Sequence, residues 1–434
     1  MKRQMKDSGI EWIGQIPEEW HVSKIKNVYI VILGKMLSPS QTQKDQTLEN
    51  YLCAANIKWS GVDTSIQKQM WFSESDKAEY KLHEGDILIM EGGLAGTSCK
   101  YRGEMAPCFI QNSVHCCRAK SNYSNQFLYY WMNVVYNSKY IENICNKATI
   151  QHYTKEKVMN TPFLICSSLE QEKIVSYLDR KCAQIDAIIA KQQQIIEKLK
   201  EYKLSVITEA VTKGLDPNVP MKDSGVEWIG KVPEHWKVPK IKYLATIASG
   251  GTPDRSHPEY WNGSINWAKT GELQNSELYE TEEKITELAL ENSSAKVFAV
   301  DTILVAMYGQ GKTRGMTALL KIPSATNQAC AGITIYSKDI TVSYLWLFLM
   351  GAYDAIREKA NGSGQPNLSG ALIADFNVTL PPVEEQINIC KTIAMHLPHI
   401  DSIIKQKEAM IDRLVAYKKS LIYEVVTGKK EVKF

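Results

Sequence analysis

The sequence lacks the features that mark secreted, membrane and metal-binding proteins. Its ten cysteines include no Cys-x-x-Cys pair, and Cys116 and Cys117 beside His115 lack the spaced partners of zinc sites. No apolar run is long enough to span a bilayer, and residues 1–4 lead into polar residues without a signal-peptide core. We therefore expect a cytoplasmic protein with reduced cysteines, in which residues 115–117 are half-buried strand residues.

The sequence also lacks common catalytic motifs and a large net charge. The chain contains no His-Glu-x-x-His, no Gly-x-Ser-x-Gly and no paired-carboxylate pattern. With 51 Lys and Arg against 48 Asp and Glu, its formal net charge of +3 gives no overall signature for nucleic acid. Any contact with DNA must come from local basic patches, or from partners that add positive charge.

Two short motifs leave an enzymatic alternative open. Residues 306–313 match a relaxed phosphate-binding loop, but the following residues 314–317 are a poor helix start, and a true loop of this kind opens a helix. Residues 160–163, Asn-Thr-Pro-Phe, resemble a degraded adenine-methylation motif that lacks its second proline. We favour a basic DNA-facing turn at Lys312 and Arg314. A DNA-dependent enzyme that uses either motif is the alternative.

What the sequence does contain is an internal repeat. Met5–Lys26 reads MKDSGIEWIGQIPEEWHVSKIK, and Met221–Lys242 reads MKDSGVEWIGKVPEHWKVPKIK. The segments that follow, 27–160 and 243–378, share little sequence. A scaffold that repeats while its inserts differ indicates two different surfaces presented in one fixed geometry. The repeated tryptophans are expected to anchor this scaffold; they are Trp12, Trp20, Trp228 and Trp236.

Each half ends in a heptad pattern that predicts a long helix, and a glycine follows each pattern. Because the connector 213–220 is short, we expect the helices to pair antiparallel, with a globular domain at each end. A helix of about forty residues spans roughly 60 Å, which is long enough to set a distance between DNA half-sites. The alternative is an ordinary packing element. The seams are Leu178, Cys182, Ile185, Ile189, Gln192, Ile196, Leu199, Lys203, Val206 and Ala210, and Ile393, Leu397, Ile400, Ile404, Lys407, Ile411, Leu414, Lys418, Leu421 and Val425.

The differing inserts predict buried strands that lead into polar loops. Residues 86–90 and 301–307 are apolar runs, and a glycine-rich turn follows each. Amide, hydroxyl and basic side chains on such loops can read base edges, and glycines let the backbone approach phosphate. The candidate DNA-binding residues are Lys35, Lys58, Thr97, Lys100, Arg102, Gln111, Asn112, Gln151, His152, Thr252, Arg255, Tyr260, Lys269, Lys312, Thr313, Arg314, Asn327, Gln328, Gln365 and Asn367.

Together these residues resemble the specificity subunit of type I restriction–modification systems, over essentially the whole chain. The first half keeps Leu169-Glu170-Gln171 before its helix but lacks the double proline of the second half. The motifs that carry the resemblance are Trp12-Ile13-Gly14 with Pro17-Glu18-Glu19-Trp20, Trp228-Ile229-Gly230 with Pro233-Glu234-His235-Trp236, Ser249-Gly250-Gly251-Thr252-Pro253 with Tyr260-Trp261-Asn262-Gly263, and Leu380-Pro381-Pro382-Val383-Glu384-Glu385-Gln386.

The resemblance implies an α+β architecture with a pseudo-two-fold internal repeat. Two α/β target-recognition domains would be separated by a long antiparallel two-helix coiled coil that sets the spacing of a bipartite DNA target. The expected boundaries are 1–165 and 215–380 for the recognition domains, and 166–214 and 381–434 for the helical regions.

The resemblance also implies partners. Two modification subunits would carry S-adenosylmethionine and methylate adenine, and restriction subunits would use ATP and Mg²⁺ to translocate and cut DNA. This chain would be the non-catalytic specificity subunit, with no cofactor and no metal of its own.

Overall fold

A computed structural model describes residues 3–145, 151–309, 311–359 and 367–432. The chain forms two compact units: unit 1 comprises Met1–Gln192 and Ala409–Phe434, and unit 2 comprises Gln193–Glu408. Both dividing positions lie inside long helices, so each unit contains a segment of both helices. The sequence prediction of two long helices is confirmed, as is the mixed helix and strand architecture.

Unit 1 is built around a four-stranded antiparallel sheet. The helices are α1 (Ile25–Val28), α2 (Glu74–Tyr80), α3 (Asn125–Asn137), α4 (Tyr140–Ile144), α5 (Lys155–Asn160) and α6 (Ser168–Lys213). The strands are β1 (Met5–Asp7), β2 (Gln15–Pro17), β3 (His21–Lys24), β4 (Tyr29–Leu33), β5 (Thr47–Leu52), β6 (Ile57–Lys58), β7 (Gly61–Val62), β8 (Gln69–Phe72), β9 (Ile87–Met90), β10 (Ser98–Lys100), β11 (Phe109–Ile110), β12 (Val114–Ala119) and β13 (Pro162–Ile165). The main sheet has the order β10-β9-β12-β4, and a second sheet has the order β11-β5-β8.

Unit 2 contains a five-stranded and a four-stranded sheet. The strands are β14 (Met221–Asp223), β15 (Lys231–Pro233), β16 (Ala245–Ser249), β17 (Trp261–Ala268), β18 (Ser276–Leu278), β19 (Glu283–Ile285), β20 (Val297–Phe298), β21 (Ile303–Ala306), β22 (Thr317–Leu320), β23 (Ser324–Thr326) and β24 (Cys330–Ile335). The helices are α7 (Glu287–Glu291), α8 (Val342–Gly351), α9 (Tyr353–Glu358), α10 (Gly370–Ala374) and α11 (Val383–Val426). The sheets have the orders β16-β24-β21-β22-β18 and β19-β17-β23-β20.

The main sheets of the two units share one topology although their sequences differ. In both, a central buried strand (β9 or β21) pairs antiparallel with the two strands on either side of it. The first residues of β4, β9 and β12 precede those of β16, β21 and β24 by the same interval that separates Met5 from Met221. All four residues of β9 and of β21 are buried, which confirms the predicted strands.

In each unit, a glutamine at the start of a long helix forms a hydrogen bond with a helix that packs on the main sheet. Gln171 in α6 accepts a hydrogen bond from the backbone of Ser124, the N-cap of α3, at 3.1 Å. Gln386 in α11 accepts the equivalent bond from Thr341, the N-cap of α8, at 2.8 Å. Both glutamines are buried, so the repeated scaffold holds each sheet-packed helix at a set position.

The long helices run antiparallel within each unit. In unit 1, Lys418 Nζ lies 2.7 Å from Asp186 Oδ1, while Ile174 and Val425 line a common cleft. In unit 2, Lys203 Nζ lies 2.7 Å from Asp401 Oδ1, and a second cleft there is lined by residues of both helices. Every predicted seam residue is buried or half-buried in the structure. The two polar seam residues Lys203 and Lys418 reach acidic residues on the facing helix.

The repeated tryptophans are scaffold anchors, as predicted. Trp20 is buried and donates its indole N–H to Glu170 Oε2 at 2.8 Å, at the start of α6. Trp236 makes the equivalent bonds to both oxygens of Glu385, at 3.1 Å, at the start of α11. Trp12 and Trp228 are half-buried against the two main cores.

A glycine ends each long helix at the same anchors. Gly428 follows α11 with φ +73, and a Cβ there would meet Pro17 at 2.4 Å in unit 1. Gly214 follows α6 with φ +78, and a Cβ there would meet Trp236 at 3.2 Å in unit 2. The positive φ and the close approach together favour glycine at both positions. Each repeat of the scaffold motif therefore contacts the start of one long helix and the end of the other.

Candidate nucleic-acid interface

In unit 1, polar loops meet at the edge where β4 ends and β12 begins. The Lys35 N–H donates to the carbonyl of Ile110 at 2.9 Å, and the Lys35 carbonyl accepts the N–H of Asn112 at 2.8 Å. Gly34 permits this approach, because a Cβ there would lie 2.4 Å from the carbonyl oxygen of Gln111. The backbone therefore places Lys35, Gln111 and Asn112 side by side.

The same edge of unit 1 continues past the end of β9. The Glu91 N–H donates to the carbonyl of Ser113 at 2.9 Å, and the Tyr153 N–H donates to the carbonyl of Glu91 at 2.7 Å. Gly92 and His152 form an antiparallel bridge. Burial raises the pKa of Glu91, although nearby His152 acts in the opposite direction. A carboxyl group and an imidazole thus lie next to the amide-bearing loop.

Unit 2 builds the corresponding edge with matching backbone bonds. The Gly251 N–H donates to Thr326 at 2.8 Å, as Lys35 does to Ile110. Gly250 permits this approach, because a Cβ there would lie 2.3 Å from the Thr326 carbonyl oxygen. The hydroxyl of Thr252 donates to the side chain of Gln328, so these two predicted residues are in direct contact.

The rest of this edge also repeats the pattern of unit 1. The Met307 N–H donates to the carbonyl of Ala329 at 2.8 Å, and the Leu368 N–H donates to the carbonyl of Met307 at 3.0 Å. These bonds correspond to those of Glu91 and Tyr153. Asn327, which donates its N–H to Ala268, and Asn367, which precedes Leu368, complete the edge. The two units therefore share a backbone frame but carry different side chains on it.

The structure brings about half of the predicted residues to these two edges. Lys100 pairs with Ile87 at the start of β9, so it and Arg102 lie at the opposite end of the sheet. Thr97 is buried and therefore does not present its side chain to a ligand. Lys58 is exposed on the β6–β7 hairpin. The residues at the edges are Lys35, Gln111, Asn112, Gln151 and His152 in unit 1, and Thr252, Asn327, Gln328 and Asn367 in unit 2.

Other predicted residues of unit 2 lie on neighbouring loops. Lys269 follows β17 and borders a cleft that Thr252, Arg255 and Asn327 also line. Tyr260 precedes β17 and stacks on His257 with a centroid distance of 4.9 Å. Gln365 lies outside the described residues.

The loop that resembled a phosphate-binding loop leads into a strand. Described residues 311–316 form turns, and the chain then enters β22, antiparallel to β21, where a true phosphate-binding loop would start a helix. The Lys312 side chain is 85% exposed. Arg357 of α9 holds the loop by donating to the carbonyls of Gly311 at 2.9 Å and Arg314 at 3.0 Å. The nucleotide-binding alternative therefore lacks its structural basis in the described residues.

The motif that resembled a methylation motif is committed to internal contacts. The side-chain oxygen of Asn160 accepts from Lys26 at 3.1 Å, and its amide donates to the Glu156 carbonyl at 3.0 Å. The Pro162 carbonyl accepts the indole N–H of Trp131 at 2.7 Å. The Asn160 side chain and the Pro162 carbonyl are thus both engaged in contacts within the chain.

Residues 115–117 are strand residues, but they are fully buried and not half-buried as predicted. They lie in β12, and Cys116 and Cys117 face two separate apolar cores, so both sides of the strand are covered. His115 contacts the Tyr153 carbonyl through Nε2 at 2.8 Å, and burial lowers its pKa to about 4. Within the described ranges, no group of three or more His, Cys, Asp or Glu side chains is placed to hold a metal.

Two acidic residues that pair with candidate DNA-binding residues were missed from the sequence. Asp76 forms an ion pair with Lys35, and Glu283 forms ion pairs with Arg255 and Lys269. These contacts join residues far apart in sequence, so no local pattern signals them.

Among the described residues, no helix is both long and apolar enough to cross a membrane.

Comparison with known proteins places this geometry in a family. A family model described as the type I restriction modification DNA specificity domain matches residues 17–201 and 233–413. The chain therefore belongs to this family, and the matched segments cover both units.

Similar proteins are named as specificity subunits of type I restriction enzymes. The specificity subunit of the type I restriction enzyme MjaIX of Methanocaldococcus jannaschii is 34% identical over 188 residues, covering 42% of this chain and 41% of that protein. The MjaVIII specificity subunit of the same organism is 24% identical over 429 residues, covering 96% of this chain and 95% of the relative. A solved structure concerning complex assembly and conformational transition of the type I R-M system covers 96% of this chain and 99% of its own, at 12% identity and a TM-score of 0.69, so the two share a fold.

Proposed function

We propose that this chain is the sequence-specific DNA recognition subunit of a type I restriction–modification complex, and that each unit reads one half of a split target. The observation that carries the proposal is the pair of sheet edges. Equivalent backbone hydrogen bonds build both edges, while the side chains on them differ. One frame that carries two sets of polar groups suits the reading of two different base sequences.

The side chains at the two edges favour different bases. In unit 1, Gln111 and Asn112 can make paired bonds to adenine, and Lys35 can bond a guanine or a phosphate. In unit 2, Asn327, Gln328 and Asn367 present amides, which suit adenine. Thr252 supplies a hydroxyl that can bond a base or a phosphate.

The chain itself would be a non-catalytic adaptor. The loop at 311–316 leads into a strand, and the Asn160 and Pro162 groups are engaged internally, so neither enzymatic motif offers a free site. We assign S-adenosylmethionine to two modification subunits, and ATP with Mg²⁺ to restriction subunits. This chain would supply their docking surface and the DNA sequence at which they act.

The two long helices would set the spacing between the half-sites. Each helix is continuous through the position where the compact units divide. A continuous α-helix has a rise of about 1.5 Å per residue, so its length follows from its number of residues. Helix length is therefore a suitable determinant of spacer length.

A matched pair of substitutions tests the proposal. Asn112 and Gln328 occupy equivalent positions on the two edges. Asn112→Ala should relax base choice in one half of the target, and Gln328→Ala in the other, because each lost paired bond reduces discrimination by about 1–3 kcal/mol. Mapping methylated adenines in DNA from cells that express each variant with the modification subunit gives the readout. Each variant is the other's control, and the proposal fails if either variant changes both halves or if neither changes any base.

A further inference from the structure

Two cations predicted to contact DNA in unit 2 are held by one carboxylate. Arg255 Nη2 lies 2.8 Å from Glu283 Oε2, and Lys269 Nζ lies 2.9 Å from Glu283 Oε1. Glu282 adds a second bond to Lys269, also at 2.9 Å. The hydrogen bond from Lys269 lowers the pKa of Glu283, so this carboxylate is ionised at neutral pH. Glu283 therefore occupies the place between two cations that a bridging anion would take.

Aromatic rings fix one of these cations at the cleft. The Arg255 guanidinium lies 4.1 Å from the ring centroid of Trp261 and 5.4 Å from that of Trp267. Its side chain remains 56% exposed, whereas that of Glu283 is 28% exposed. The arginine is thus oriented by stacking and can exchange its anionic partner without losing its position.

Unit 1 repeats this arrangement with different residues. Lys35, at the edge, forms an ion pair with Asp76, and its ammonium lies 5.3 Å from the ring centroid of Phe72. Asp76 also accepts the backbone N–H of Ser73 at 2.8 Å, which caps α2. Each unit therefore pairs a ring-stacked cation near its edge with a carboxylate held by the surrounding structure.

We infer that Glu283 and Asp76 are stand-ins for DNA phosphate, which neutralise the cations at or beside the edges in the free protein and release them when the target duplex binds. The inference rests on the proposed function. Partly exposed ion pairs such as that of Arg255 with Glu283 add little net stability, so a phosphate can replace the carboxylate. The pair of Lys35 with Asp76 is more buried, with side chains 14% and 22% exposed, and costs more to open. Opening the pairs costs free energy. On the target, base contacts offset this cost; on other duplexes they do not, so the pairs stay closed and the cations make no phosphate contact. The two carboxylates thereby limit residence on non-target DNA.

The test is Glu283→Gln in the full-length chain, assembled with the modification subunit of its host. The variant should bind a duplex without the target more tightly than the wild type. The plot of log affinity against log salt should steepen by about one to two, because up to two cations gain phosphate contacts at about 0.9 each. Asp76→Asn should steepen it by about one.

Asp301→Asn is the matched control. It removes one negative charge and one ion pair, with Lys321 at 3.0 Å, just before β21, at the end of the main sheet away from the edge. The inference is overturned if Glu283→Gln matches this control, or if Glu283→Gln weakens non-target binding. Thermal unfolding checks that each variant is folded, and Asp76→Asn repeats the test in unit 1. A wild-type complex with no preference among duplexes would overturn the proposed function, while the salt comparison would still decide this inference.

Discussion

At the scale of single residues, His115 couples stability to pH. It is fully buried in β12, and burial lowers its pKa from 6.5 to about 4. The unfolded chain therefore binds a proton between these values while the folded chain does not, so stability is complete above pH 6.5 and falls as pH decreases towards 4. Between pH 7.5 and 5.5 this group should lower the free energy of unfolding by about 1.3 kcal/mol.

Unfolding monitored at both pH values checks this prediction, with His115→Gln as the comparison. Glutamine retains an amide donor for the Tyr153 carbonyl but does not titrate. The stability difference between pH 7.5 and 5.5 should be smaller in the variant by that amount. An equal difference in both proteins would show that His115 is not the titrating group.

A second prediction at this scale concerns Pro398, which lies inside α11 and is exposed. Proline has no N–H to donate to the carbonyl of Ala394, and its ring crowds the preceding turn. Pro398→Ala should raise the free energy of unfolding by about 1–3 kcal/mol. Denaturant unfolding measures this change, and a variant no more stable than the wild type would contradict it. The half-site bases should not change, because Pro398 lies outside both edges.

At the scale of elements, the long helices were predictable and the sheet edges were not. The heptad pattern identified α6 and α11 because burial recurs on one helix face, and α11 continues through Pro398 because its apolar seam does. The apolar runs identified β9 and β21 because every residue of these strands is buried. The shared sheet topology could not be predicted, because equivalent positions in the two inserts are buried alike but carry different residues. Likewise, no local pattern predicts the ion pair of Arg255 with Glu283, which joins a loop to the first residue of β19.

The helix prediction extends to their proposed role as a ruler. Inserting one heptad after Ile196 and one after Ile411 keeps both apolar seams in phase and adds about 10 Å to each helix. At about 3.4 Å per base step, the spacer between the half-sites should grow by roughly three base pairs while the half-site bases stay the same. Methylation mapping gives the readout.

Insertion after Ile196 alone is the control for this change. It shifts one seam against the other, so the variant should be less stable. If the double insertion is folded and active but methylates DNA at the original spacing, then the helices do not set the spacer.

At the scale of the whole molecule, the two readers should be independent. Their backbones match while their edge residues differ, so replacing 243–378 with the corresponding segment of a relative should change one half of the target only. The retained scaffold includes the Trp236 anchor and Glu385. Methylation mapping of the hybrid checks this outcome, and a change in both halves would contradict independent reading.

The core of unit 1 includes residues of α11 that are translated after unit 2. These include Leu421, Ile422, Val425 and Val426, whose burial contributes roughly 6–12 kcal/mol in all, comparable to the stability of a whole domain. Unit 2, by contrast, is one continuous stretch, 193–408. During synthesis the order of folding should therefore be the reverse of the order of translation. The first reader to be made must wait, with its apolar surface open to chaperones, until the second has emerged and α11 has arrived.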